Sequence, residues 1–511
     1  MFNQTDTKTF SSFVPYAQRL RDLADRQPDL PALIVDTVSG REIYSYAQFN
    51  AKVDVFAVAL KQEGVDKNTA VIIVSPNSSA AVLASAAAWR LGAFVVPVSA
   101  KSTQSDLEAS ITIVSQTGRK VSVLSDTILP LPGAHHCSLE ALHQLQSDTA
   151  VEANNPTPAW AIPSGGTTGK SKLIVGNAPW GHGGESSIMT AAGWDVAERV
   201  LVYGPLYHTV GLLHTHCALM DGKTVVLMDR FDAARVQTII EQDRIEFFFA
   251  IPILLQRLLE FEGVRADAYD SIKTMYHSGA SCSPSLKARW LDFLGPERVW
   301  EIYGATEGIG FTTIRGDHWL KHPGSVGKPF RSEIKILDEQ YGPLPPGEIG
   351  LIFMKRSDKP QDQPSFAYLG ADMPEPTDDG FQTVGDMGWL DEQGYLHIAD
   401  RRTDMIISGG VNIFPAEVEA TLCRYDGVRE AAVIGIPDKQ WGRRLHALIV
   451  PLDPNNPPLV EFLDAFMNQE MVAYKKPKSY EIREALVFTD VGKLDRRVLT
   501  EQCSVSTETS L

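Results

Sequence analysis

Residues 159–172 read Ala-Trp-Ala-Ile-Pro-Ser-Gly-Gly-Thr-Thr-Gly-Lys-Ser-Lys, an apolar run that opens into a loop of glycine, hydroxyl and lysine residues. The run Ala159–Pro163 has the length and character of a buried strand. The glycines Gly165, Gly166 and Gly169 let the backbone behind it turn its N–H groups inward. Ser164, Thr167 and Thr168 add hydroxyl donors, and Lys170 and Lys172 add positive charge. A loop so equipped, at the end of a strand, suits a polyphosphate. It is not the P-loop of NTPases, because Ser164 stands where that pattern requires its first glycine. Read alone, the same composition also fits a solvated turn.

Outward from this loop, short β-branched runs alternate with helical patterns. Strands are expected at 69–74, 94–98, 121–124, 200–203, 224–228, 246–251, 272–277 and 299–303, with helices at 80–91, 233–242 and 285–293. Such alternation implies an α/β fold of mostly parallel, helix-covered sheets, with ligands at the carboxyl ends of the strands. After about residue 325 the texture changes. A Gly/Pro cluster at 342–347 precedes a strand at 349–354, and a stretch rich in Pro, Asp and Gln at 357–379 reads as loop. Smaller strands follow at 395–399, 405–407, 431–436 and 445–450, with a helix after Pro415. The charged run Asp400-Arg401-Arg402-Thr403-Asp404, between two apolar strands, reads as a solvated hinge. It divides the chain into domains 1–400 and 401–511.

Composition narrows the partners. A chain of 511 residues exceeds one core, and at 44% hydrophobic and 22% charged it is ordinary globular protein. The net charge of −16 argues against nucleic acid, since a phosphate backbone rewards clustered Lys and Arg. Cys137, Cys217, Cys282, Cys423 and Cys503 are scattered without CxxC spacing, which fits free thiols in a reducing, cytoplasmic setting. His135-His136-Cys137 and His214-Thr215-His216-Cys217 lack a second ligand pair at metal spacing. The N-terminus shows no basic, then apolar, leader, and the run 80–89 is too short to span a bilayer.

Four further segments carry chemistry through their joint order. Tyr303-Gly304-Ala305-Thr306-Glu307 offers an aromatic face for a purine, a hydroxyl for a phosphate and a carboxylate for Mg²⁺. Val384-Gly385-Asp386 puts a carboxylate after a tight turn, suited to ribose hydroxyls. The charged hinge runs into Met405-Ile406-Ile407-Ser408-Gly409-Gly410, and Gly492-Lys493 lies near the C-terminus. Together with Tyr44-Ser45-Tyr46 and 92–97, these segments resemble the adenylate-forming superfamily of acyl- and aryl-CoA synthetases, adenylation domains and luciferases. The stretches 164–166, 319–327 and 399–404 look most like bacterial bile-acid-CoA-ligase-type enzymes.

The resemblance implies a large N-terminal domain with a small β-barrel-like part and a small, mobile α+β C-terminal domain. It implies that a carboxylate attacks the α-phosphorus of ATP, expelling pyrophosphate, and that the acyl-adenylate then passes to a thiol, that of CoA or of a carrier protein. By the same resemblance, 164–172 wraps the β- and γ-phosphates, Thr306 holds the α-phosphate and Glu307 the Mg²⁺. Tyr303 stacks on adenine with Gly304 beside it, Ser278, Gly279, Ala280 and Ser281 line the other side, and Asp386 and Arg401 fix the ribose. Lys493 places its ammonium between carboxylate and α-phosphate. Thr403 stands at the hinge, and Ser408, Gly409 and Gly410 line the pantetheine path. His208 gates an acid pocket lined by Thr209, Val210, Gly211, Ala250, Ile251, Gly279, Gly304, Ile309 and Phe311. The apolar lining favours a hydrophobic acyl, aryl or polycyclic acid, and a second copy of the chain is a further candidate partner.

The chain departs from the family's habit at several places. Gly166 stands for Thr or Ser, Ser171 for Pro, Val384 for Thr, Asp400 for Gly, and Thr403 for Asp or Lys. None removes a catalytic group.

Overall fold

The computed structural model describes residues 13–126, 131–146, 149–164, 172–183, 192–358, 364–489 and 492–508, with side chains as far as Cys503. Gly165, Gly166, Thr167, Thr168, Gly169 and Lys170, expected in the phosphate loop, lie outside these residues, as does Ser171. Ten elements position the site. They are β1 (Trp160–Ser164), β2 (Lys172–Gly176), α1 (Thr209–Met220), β3 (Phe247–Ala250), α2 (Pro252–Glu260), β4 (Thr274–His277), β5 (Val299–Gly304), β6 (Phe366–Leu369), β7 (Asp386–Leu390) and β8 (Leu396–Arg401).

Two large sheets form the N-terminal part. A seven-stranded sheet runs β6, β2, β1, then Phe94–Val98, Thr69–Val74, Lys120–Ser125 and His135–Cys137. From β1 onward its ladders are parallel, whereas β1–β2 and β2–β6 are antiparallel. The second sheet has thirteen strands. Its parallel half contains β5, β4, β3, Arg199–Val202, Thr224–Met228 and Pro31–Thr37. Thr224–Met228 is buried at every position, as a strand covered on both faces must be. The Ala-rich helix Ser79–Arg90 is also buried all round, and its Arg90 guanidinium is neutralised by Asp54 at 2.7 Å.

Beyond β5 the second sheet turns antiparallel, through Phe311–Arg315, Ser325–Pro329, β8, β7, Gly350–Arg356 and Ser332–Leu337. The barrel-like part is therefore an extension of this sheet. Its last strand pairs on one side only among the described residues. The stretch 357–379, read as loop, contains β6, whose Phe366 is buried at the sheet edge.

The C-terminal part is a small α+β domain. Val428–Asp438 pairs antiparallel with Gly442–Pro451, which pairs parallel with Ser479–Ile482. Val418, Leu422, Val433, Leu445 and Leu463 fill one face of this sheet, and Ile434, Leu448, Val450, Leu486 and Leu499 the other. The charged run before it is less uniform than the sequence suggests. Arg401, Arg402 and Thr403 are exposed, but Asp400 is half-buried and accepts hydrogen bonds from the Ala416 N–H at 2.9 Å and the Arg401 N–H at 2.8 Å. Burial pushes its carboxyl up to about 6. Among the described residues no helix is long and apolar enough to cross a membrane.

Candidate active site

The phosphate-type loop springs from a closed hairpin stem. Ser164 and Lys172 face each other as the last pair of the β1–β2 ladder. The Lys172 ammonium stands 3.6 Å from the centre of the Tyr368 ring on β6. The Tyr368 hydroxyl donates to Glu307 Oε1 at 2.6 Å, which ties the loop's root to the segment after β5. Glu307 is buried, and its charge supports the Lys172 ammonium while burial and Arg401 lower that lysine's pKa. Tyr368 went unread in the sequence, because it lies in the Pro-rich stretch with no motif around it. The aromatic alternation of Phe366 and Tyr368 is the only signal it leaves.

Thr306 and Thr209 share a hydroxyl–hydroxyl hydrogen bond of 2.9 Å, joining the Tyr303–Glu307 segment to the start of α1. The Tyr303 hydroxyl donates to Asp386 Oδ2 at 2.8 Å, and Arg401 Nε lies 3.3 Å from Asp386 Oδ1. Asp386 and Arg401 are also register partners of the β7–β8 ladder, which fixes them opposite each other. Gly385, at φ +86°, makes the turn that delivers Asp386.

Lys493 arrives from the other end of the chain. It is half-buried, with Arg401, Asp386 and Glu307 as its charged neighbours. Burial, and then Arg401, lower its pKa, and the two carboxylates act against them. The turn is closed by Lys493 N–H donating to Thr489 Oγ1 at 3.1 Å and Thr489 N–H donating to the Lys493 carbonyl at 2.7 Å. Gly492, at φ +72°, rests on Ile251 so closely that a Cβ there would overlap that side chain and crowd Ile253.

His208 caps α1, its Nδ1 facing the Val210 N–H at 3.5 Å. Burial, then the charge of Lys493, lowers its pKa to about 4, so the ring is neutral at ordinary pH. Gly211 packs under the Pro205 carbonyl, where any side chain would collide. Across from α1, Ala250 is buried, Ile251 is half-buried, and a Cβ on Gly279, at φ +87°, would crowd Ile251 at 3.3 Å. Gly304 and Phe311 are register partners, and the Phe311 ring covers the Gly304 Cα. Ile309 is buried and Val210 half-buried, so the lining is apolar. Ser278 is half-buried, whereas Gly279, Ala280 and Ser281 are exposed.

Two expected parts stand apart from this cluster. Ser408 is buried in the hairpin Ile406–Ser408/Val411–Ile413, but Gly409 and Gly410 are exposed at φ +60° and +83°, with Trp441 packed on Gly409. Thr403 is exposed and donates to Asp404 at 3.3 Å. Two histidines of the sequence clusters have partners outside the site. His135 pairs with Glu63 at 2.7 Å, and His216 meets the Tyr16 hydroxyl at 2.7 Å.

Comparison with known proteins identifies the family. The sequence model of the AMP-binding enzyme family matches residues 20–358, and that of the AMP-binding enzyme C-terminal domain matches 417–493. Feruloyl-CoA synthase of Amycolatopsis sp is 31% identical over 476 residues, covering 89% of this chain and 93% of that protein. The long-chain-fatty-acid–CoA ligase FadD13 of Mycobacterium tuberculosis is 28% identical over 510 residues, covering 95% and 98%. Among solved structures, the o-succinylbenzoate coenzyme A synthetase of Bacillus subtilis in complex with ATP and magnesium ion aligns with a TM-score of 0.78 at 25% identity. That alignment covers 95% of this chain and 99% of that one. The chain belongs to the AMP-binding enzyme family, the adenylate-forming acyl- and aryl-CoA synthetases.

Proposed function

We propose that this chain is an AMP-forming carboxylate–CoA ligase acting on a hydrophobic acid. It joins acid and ATP into an acyl-adenylate with release of pyrophosphate, then transfers the acyl group to the CoA thiol with release of AMP. The observation that carries this reading is the position of the half-buried Lys493 beside Glu307, Asp386 and Arg401. A cation from the C-terminal segment thereby stands among the groups that the resemblance assigns to ATP.

Each residue has a task set by its surroundings. Asp386, oriented by Tyr303 and Arg401, presents its carboxylate to the ribose hydroxyls. Tyr303 offers its face to adenine, with 278–281 on the other side, and the Thr306 hydroxyl, steadied by Thr209, binds the α-phosphate. Lys172, with 165–171 beyond it, neutralises the β- and γ-phosphates. Glu307 has one oxygen engaged by Tyr368, and a single buried carboxylate of this kind suits Mg²⁺, which takes its remaining ligands from phosphate and water. When bound there, Mg²⁺ supplies charge neutralisation across the phosphates. The Lys493 ammonium holds the attacking carboxylate against the α-phosphate as negative charge gathers. At 4 Å, opposite charges are worth about 1 kcal/mol in water and several-fold more in a dry site. Neutral His208 closes the acid's side without adding charge.

The proposal extends to domain division and the second step. Residues 401–511 turn about Thr403 after adenylation, withdrawing Lys493 and bringing Ser408, Gly409 and Gly410 to the pantetheine arm. ATP–pyrophosphate exchange over a panel of carboxylic acids, followed by AMP release with CoA or a phosphopantetheinylated carrier protein, tests the reading. Exchange with at least one hydrophobic acid and AMP release with CoA are expected. Absence of exchange with every acid rejects the ligase reading, and AMP release that requires the carrier protein replaces CoA as acceptor.

A further inference from the structure

Outside the nucleotide cleft, two groups of three metal-ligating side chains converge among the described residues. One joins Glu63, His135 and Cys137 at the surface, and the other joins His446, Glu481 and Cys503 in the C-terminal domain. Ligand spacing tells them apart. Tetrahedral zinc, bonded at about 2.1 Å to N and O and about 2.3 Å to S, holds N and O about 3.4 Å apart and S and O about 3.6 Å apart. His135 Nε2 and Glu63 Oε2 are 2.7 Å apart, a direct hydrogen bond too tight for both atoms to bind one tetrahedral ion. His446 Nε2 lies 3.4 Å from Glu481 Oε2, and Cys503 Sγ lies 3.8 Å from the same oxygen. The three ligand atoms all stand within 4.8 Å of one another. The second group already has the spacing of a coordination sphere.

The fold accounts for this convergence. His446 lies on Gly442–Pro451 and Glu481 on Ser479–Ile482, and their parallel ladder pairs His446 with Ser479 and Leu448 with Glu481. Strand alternation therefore puts His446, Leu448 and Glu481 on one face. Cys503 comes from the last helix, Arg496–Glu508, where it follows Leu499 by four residues and shares its side. Leu499 and Cys503 pack with Leu448 and Val450 on that face of the sheet. His446 and Cys503 are buried, whereas the Glu481 side chain keeps an open side.

Each ligand also has an outer partner. The Ser479 hydroxyl stands 2.8 Å from His446 Nδ1, and it can accept that proton when Nε2 gives its lone pair to a cation. Arg483 Nε donates to Glu481 Oε1 at 2.7 Å, which leaves Oε2 for His446 and Cys503. Arg483 Nη2 lies 3.3 Å from Cys503 Sγ, where its N–H supports a thiolate. Its Nη1 donates to Gln502 at 2.7 Å, anchoring the guanidinium to the same helix.

We propose that His446, Glu481 and Cys503 form a divalent transition-metal site, with zinc as the ion that fits. The site is independent of the ligase reading. Without metal, the Cys503 thiol donates to Glu481 Oε2 across the gap. Binding breaks the S–H bond, forms a bond from Sγ to zinc and sends the proton to solvent. Thiolate and carboxylate together balance the dication, and water fills the fourth position from the open side of Glu481. Thiolate and imidazole favour zinc over Mg²⁺, so the magnesium that accompanies ATP does not compete. The ion clamps the helix that follows Lys493 to both strands.

The test titrates Co²⁺, a coloured stand-in for zinc, into metal-stripped full-length protein kept reduced with a phosphine at pH 8. One equivalent is expected to give thiolate-to-cobalt absorption in the near ultraviolet, which Zn²⁺ then bleaches. Cys503→Ser is expected to lose that band, and Glu481→Gln and His446→Gln to weaken Co²⁺ binding at least tenfold. Cys137→Ser is expected to bind as the wild type does. Zn²⁺ is expected to raise the melting temperature of the wild type and not that of Cys503→Ser, since an ion held only by the folded state stabilises it. Melting of each variant without metal shows that it is folded, and Glu481→Gln, at the open edge, serves should Cys503→Ser not fold. No band in the wild type, a band lost in Cys137→Ser, or undiminished binding by Glu481→Gln overturns the proposal.

Discussion

Half-buried Lys493 has its pKa lowered by burial and then by Arg401, with Asp386 and Glu307 acting against both. Lys493→Ala is expected to lower ATP–pyrophosphate exchange by about two to three orders of magnitude, as loss of one preorganised charge does. Conversion of supplied acyl-adenylate and CoA to thioester should fall far less, and equal loss in both assays would refute the division of labour. The pH profile carries a sign. The ammonium is the working form and its pKa is depressed, so exchange should decline with rising pH earlier than for a free lysine. His208, at about 4, contributes no acid limb above pH 5. A second buried pair makes a stability prediction. Lys287 is paired with Glu301, both buried, and the lysine holds the Glu301 carboxyl below its usual range. Lys287→Met strands that carboxylate and should cost about 3–5 kcal/mol in denaturant unfolding at neutral pH. Glu307, Asp386, Arg401 and Lys493 were legible because their motifs occur in a fixed order. Tyr368 was not, since it meets Glu307 across 61 residues of chain.

The turn bearing Lys493 depends on Gly492. Ala there would combine a strained positive φ with a clash against Ile251, lifting the turn from its seat. Gly492→Ala should therefore lower pyrophosphate exchange at least tenfold with little change in melting temperature, measured on the same sample. The strands that build the parallel halves announced themselves by unbroken apolar runs such as Thr224–Met228, which can be buried on both faces and nowhere else. Their ends shifted by only a residue or two, as at β3 and β4. The antiparallel strands were harder to read. β6 and Ser332–Leu337 are short or half-exposed, and β6 stands within a run of prolines, so composition spoke for loop while edge pairing with β2 decided the matter. The two members of the charged run that differ most are Asp400 and Thr403. Asp400 is drawn into the fold by the α-helical N–H of Ala416, an interaction sixteen residues away that charge counting cannot reveal.

Lys493 of the C-terminal segment stands beside Glu307, Asp386 and Arg401, and Thr403, the proposed hinge, lies exposed just after β8. Proline fixes φ near −65° and restricts the residue before it. Thr403→Pro is accordingly expected to leave pyrophosphate exchange within about threefold while slowing CoA-dependent AMP release tenfold or more. Equal slowing of both reactions would place the pivot elsewhere. The seat of Gly492 on Ile251 has one more consequence. On the ligase reading proposed above, the turn that carries Lys493 also covers Ile251 beside the acid, so its withdrawal would uncover the acyl-adenylate. On that reading the activated acid would meet bulk water only as the turn withdraws, and with CoA scarce the mixed anhydride would stay bottled rather than spilled.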